Sequence, residues 1–164
     1  MTKIVPTWKK VIIGNELKTG NDFRMAMKNA GCGFVEGSST ILENPQFSVS
    51  LERKEIELAL ISVEELAGLK RFFQKGMTRK AIYDHVQKIG LGYCPLEVGP
   101  QLRLQYLDQP ANEQLTIVSE PLGNMMFYIE GTIRSGPWLL ETNGRPEGLC
   151  RLEDNHRLIF MKCF

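Results

Sequence analysis

Apolar and polar residues alternate in several windows of this chain, and each such window predicts a half-buried strand. Residues 7–13, Thr-Trp-Lys-Lys-Val-Ile-Ile, look like a first strand without strict alternation, closed by Gly14. Phe47, Val49 and Leu51 alternate with Ser48, Ser50 and Glu52. Arg53-Lys54 then turns the chain, and Ile56, Leu58 and Leu60 supply a hairpin partner. Leu102, Leu104 and Tyr106 alternate with Gln101, Arg103 and Gln105, predicting a strand over 101–107 with a polar row on one side. Segments 114–119, 125–130, 138–141 and 157–163 read as an antiparallel meander, separated by Gly- and Pro-containing breakers at 121–124, 135–137 and 143–148.

Helical spacing occupies other windows. Asn21 caps a segment in which Phe23, Ala26, Met27 and Ala30 recur at three- and four-residue steps, and Gly31 suits the left-handed position beyond its end. Ser62-Val63-Glu64-Glu65 is a capping-box pattern opening a helix through Leu66, Leu69 and Phe72, which Gly76 ends. Thr78 caps a third helix, with Ile82, Val86 and Ile89 on one face and Gly90 as its stop. Segment 38–44 is either a loop or a short helix stopped by Pro45. Around Cys94, Pro95 and Glu97 start a helical turn that Gly99-Pro100 should stop at once. Helices early and strands late predict an α+β fold: one domain over 1–164, mainly antiparallel, with two or three helices packed on one face.

Charge and composition narrow the function. The 20 Lys+Arg against 19 Asp+Glu in 164 residues leave a net charge of +1, so no overall field drives binding to a polyanion. No apolar run reaches the roughly 18 residues of a spanning helix, and no signal peptide is evident; we expect no membrane partner. The four cysteines (Cys32, Cys94, Cys150 and Cys163) are scattered, which fits free thiols in a cytoplasm.

Candidate chemistry is sparse. Cys94 at a short helical N-terminus is a conceivable nucleophile, with His85 or His156 as the base it would need; the competing reading is a small buried side chain at a structural turn. No cysteine or histidine spacing fits a metal, no glycine pattern fits a phosphate loop or dinucleotide, and no cofactor is implied. The pairs Glu55/Glu57 and Glu64/Glu65 are a solvated strand face and a helix first turn. Lys70, Arg71, Arg79 and Lys80 gather basic charge at a joint between two helices, the place to look for phosphate contacts, although a solvated joint explains them as well and we expect no nucleic-acid binding. The polar row Gln101, Arg103 and Gln105, with Tyr128 and Trp138 on following strands, offers a face for a planar or anionic ligand.

At Ala30-Gly31-Cys32, and above all from Leu91 through Cys94-Pro95 to Tyr106, the chain resembles a group of short uncharacterised bacterial proteins. The resemblance runs from about Leu17 to Pro121. It implies a bacterial, intracellular origin and carries over no activity or functional residue. The reading placed first is a binding or interaction module for a protein or small-molecule ligand. A cysteine-dependent enzyme centred on Cys94 comes second, and a nucleic-acid binder third.

Overall fold

The computed structural model describes residues 4–37, 40–62, 64–66, 79–122, 125–132, 136–143 and 157–163. Within them lie β1 (Lys9–Ile13), β2 (Gly33–Phe34), β3 (Lys54–Ser62), β4 (Leu91–Gly92), β5 (Gln114–Ile117), β6 (Met125–Thr132), β7 (Gly136–Asn143) and β8 (Arg157–Lys162). The helices are α1 (Gly20–Asn29), α2 (Arg79–Gln87) and α3 (Val98–Gln105). The fold is α+β, built on one mixed sheet in the order β1-β3-β8-β5-β6-β7-β2, with β4 pairing β8 beside this path.

β5, β6 and β7 are antiparallel neighbours, as the alternation predicts. β8 departs from the expected meander. It lies between β3, to which it is antiparallel, and β5, to which it is parallel. The reason is in its sequence: Leu158, Ile159 and Phe160 are all buried, and a strand apolar on both sides belongs in the middle of a sheet. Those two sides carry separate cores. Leu58 and Ile159 join one, with Phe23 and Met27 of α1 and Val98 and Leu102 of α3. Ala59, Ile61, Leu158 and Phe160 join the other, with Val86 of α2. The helices therefore pack on both faces of the sheet, because β3 and β8 present apolar groups to each.

The 101–107 segment is not a strand but the larger part of α3, and Gly99-Pro100 begins the helix instead of stopping it. Pro100 is the third helical residue, where the backbone N–H would have no partner within the helix; the first such bond is Gln101 N–H to the Glu97 carbonyl. A Cβ on Gly99 would come within 2.2 Å of the Phe127 ring, so glycine is what lets α3 lie directly on β6. α3 also touches β1 and β7, near opposite ends of the strand order, so the sheet curls around this helix. Val98 through Arg103 are all buried. A helix enclosed in this way has no solvent stripe, and the amphipathic period that marks helices on the surface is missing.

Two other expectations shift. Residues 47–52 form no ladder, and β3 pairs β1 and β8 in place of a hairpin with them. Thr19, not Asn21, caps α1: its hydroxyl accepts from Asp22 N–H while the Asp22 carboxylate accepts from Thr19 N–H. Gly31 does take the left-handed conformation, at φ 75°. The Ser62/Glu65 capping box forms, with Ser62 N–H donating to the Glu65 carboxylate and Glu65 N–H to the Ser62 hydroxyl. The helix expected beyond it, over Leu69 and Phe72, lies outside the described residues.

Candidate binding site

The helical period of α3 redistributes the polar row. Glu97, Gln101 and Gln105 recur every four residues and make one stripe, laddered by Gln101 Nε2 to Glu97 Oε1 at 3.0 Å and Gln105 Nε2 to Gln101 Oε1 at 3.1 Å. The stripe faces the outer edge of β1. Glu97 Oε1 accepts from Gly14 N–H, Gln101 exchanges hydrogen bonds with Asn15, and Gln105 binds the backbone of Ile12. Glu97 Oε2 also accepts from Ser50 N–H at 2.8 Å, which ties the irregular 47–52 segment to the helix. These groups serve the fold: they satisfy an edge strand as a neighbouring strand would.

Arg103 points elsewhere and is fully buried at 0% exposure. Its Nη1 donates to Gln109 Oε1 at 2.5 Å and to the Trp138 carbonyl at 3.4 Å, and its Nη2 to the Tyr106 carbonyl. Its Nε has no acceptor, and no carboxylate pairs with it among the described residues. The Cys32 thiol lies against the guanidinium; burial pushes that thiol up, and the positive charge opposes the shift. Burial likewise lowers Arg103, with Cys32 working the other way. Arg103 thus closes the C-terminus of its own helix and fixes the loop that follows. Gln109 continues the anchoring, through Nε2 to the carbonyls of Glu113 and Ile129.

That loop carries a mixed cluster to the rim of the curled sheet. The Tyr106 hydroxyl donates to Glu113 Oε2 at 2.9 Å, and Arg157 Nη2 donates to Glu113 Oε1 at 2.6 Å. The Trp8 and Tyr106 rings meet edge to face, with centroids 5.5 Å apart. Lys9 Nζ stands 4.3 Å from the Tyr106 centroid and 5.5 Å from that of Trp8. Burial, and then the Glu113 carboxylate, push the Tyr106 phenol up to about 12. Trp8, Lys9, Tyr106, Glu113 and Arg157 are each partly exposed, and no sequence motif flags them. What unites them is that Trp8 just before β1, Lys9 at its start, Tyr106 beyond α3 and Arg157 on β8 reach one place.

The remaining candidates are dispersed. Tyr128 and Trp138 are half-buried on the sheet side away from α3, alternating with the core residues Ile129 and Leu139. Cys94 is fully buried; its thiol donates to the Ile159 carbonyl at 3.8 Å and accepts from Met161 N–H. Burial, and next the nearby Cys163 thiol, hold Cys94 far above the ordinary thiol range. His85 is half-buried on α2. His156, Lys70 and Arg71 lie outside the described residues, as do the side chains of Arg79 and Lys80. Among the described residues, no three His, Cys, Asp or Glu side chains gather to hold a metal, and no helix is long and apolar enough to cross a membrane. Set against protein-family models, curated proteins and solved structures, the chain matches none of them.

Proposed function

We propose that the protein is a binding or interaction module without catalysis, and that its contact site is the rim formed by Trp8, Lys9, Tyr106, Glu113 and Arg157. The observation that carries this reading is the Lys9 ammonium standing over the rings of Trp8 and Tyr106, the second on a loop that Arg103 holds from beneath. Aromatic faces and a cation positioned before a ligand arrives are recognition chemistry. The candidate nucleophile, Cys94, is buried and bonded to the β8 backbone, which favours binding over cysteine catalysis. The partner is a protein or a small molecule, and no cofactor is invoked. The free thiols of Cys32, Cys94 and Cys163 are in keeping with a module working in the cytoplasm.

The test is a thermal-shift screen of small molecules against the full chain, repeated on Trp8→Phe and Lys9→Met. A ligand that binds only the folded protein raises its melting temperature with concentration. Hits at the rim should lose their effect in both variants. Hits indifferent to both, or turnover of any compound that depends on Cys94, would contradict the reading.

A further inference from the structure

We infer that the rim takes a small planar carboxylate, with its carboxyl group on Lys9 Nζ and its ring against Trp8 and Tyr106. The inference rests on the binding-site reading above and names the ligand class. Two adjacent lysines make the contrast. Lys10 Nζ pairs with Glu55 at 3.0 Å and with Glu57 at 3.7 Å. Lys9 pairs with no carboxylate among the described residues and meets the Trp8 and Tyr106 rings. Glu113 is already engaged, since one of its oxygens accepts from the Tyr106 hydroxyl and the other from Arg157. Of the charges around Tyr106, Arg157 pairs with Glu113, and Asp108, the other carboxylate acting on the phenol, forms no ion pair with Lys9, whose ammonium is left without an anion among the described residues. A cationic ligand would meet like charge there, and a neutral ring would leave the ammonium unpaired. The rings meet at 82° with Lys9 Nζ over both, so the ammonium and the aromatic pair stand side by side for a ligand that carries an anion on a flat group. Phosphate would satisfy the ammonium and gain nothing from the rings.

The probes are benzoate, inorganic phosphate and benzylamine, each titrated into the ¹⁵N-labelled full chain. The readout is the Trp8 indole resonance, assigned through Trp8→Phe, with the backbone resonances of Lys9 and Tyr106. Benzoate should shift all three saturably. Lys9→Met keeps an unbranched side chain over the rings and should weaken benzoate on the order of tenfold, while Lys9→Arg should retain most of the affinity. Either variant counts only if its melting temperature is that of the parent; should both fall, the comparison of the three probes on the parent decides alone. Movement of the rim resonances by benzylamine or phosphate, with benzoate silent, would overturn the ligand class and leave the rim as the binding site. Rim resonances unmoved by all three probes would overturn both.

Discussion

The side-chain amide of Gln105 takes both backbone polar groups of Ile12: Ile12 N–H donates to Oε1 at 2.8 Å, and Nε2 donates to the Ile12 carbonyl at 2.8 Å. One glutamine thus does for an edge strand what a neighbouring strand would do. Gln105→Leu removes both bonds at an exposed site where water replaces them, so we expect a loss of only about 1 kcal/mol in denaturant unfolding. The sharper readout is hydrogen exchange, in which the Ile12 amide should lose its protection while Val11 keeps its own.

Glu97 lies at the buried end of the same ladder, and its replacement should cost more. Glu97→Gln keeps the shape but turns an N–H₂ group toward one of the donors at Gly14, Ser50 or Gln101. A buried donor left facing a donor should destabilise by about 3 kcal/mol, read as a fall in the urea midpoint at unchanged slope. A variant as stable as the parent would mean that the ladder is ornamental.

Gly99→Ala tests the close approach of α3 to β6. The new Cβ would meet the Phe127 ring at 2.2 Å, so helix and strand must separate. A loss of about 1–3 kcal/mol should follow, with shifted ring resonances for Phe127.

β1, β3, β5, β6, β7 and α1 are legible in the runs and spacing of their apolar residues, whereas the two-residue β2 and β4 are too short to show a period and 47–52 alternates without forming a strand. β8 was legible as a strand, but its place was not: a run apolar on both sides says that a strand is central without saying between which neighbours. α3 is hidden in the sequence because a helix enclosed by a sheet shows no amphipathic period, and the alternation of Leu102, Leu104 and Tyr106 imitates a strand. On a strand, Gln101, Arg103 and Gln105 would share one face. Helical geometry instead sends Gln101 and Gln105 to β1 and Arg103 toward Cys32 and Trp138. The rim could not be read locally, because Lys9 and Tyr106 meet only through the curl of the sheet.

The Tyr106 phenol gives a pH signature. Its folded value, about 12, stands above the ordinary 10.0 because burial and the Glu113 carboxylate disfavour the phenolate. An acid whose folded value is raised keeps its full contribution to stability below the unfolded value and loses it as pH climbs toward the folded one. Melting temperature should therefore fall between about pH 10 and 12. Tyr106→Phe should fall less steeply over the same window, and identical slopes would contradict the assignment.

The account holds that Cys94 is a structural thiol and that the protein binds without cysteine chemistry. Alkylation rate against pH, resolved for each cysteine of the folded chain by peptide mass mapping, tests this most directly. Cys163 is exposed and should react first; Cys32 and Cys94 are buried and should react slowly, with Cys94 showing no thiolate-like acceleration near neutral pH. A single fast site at Cys94, with an apparent pKa well below the usual thiol value of about 8.5, would contradict the account and put the cysteine enzyme first.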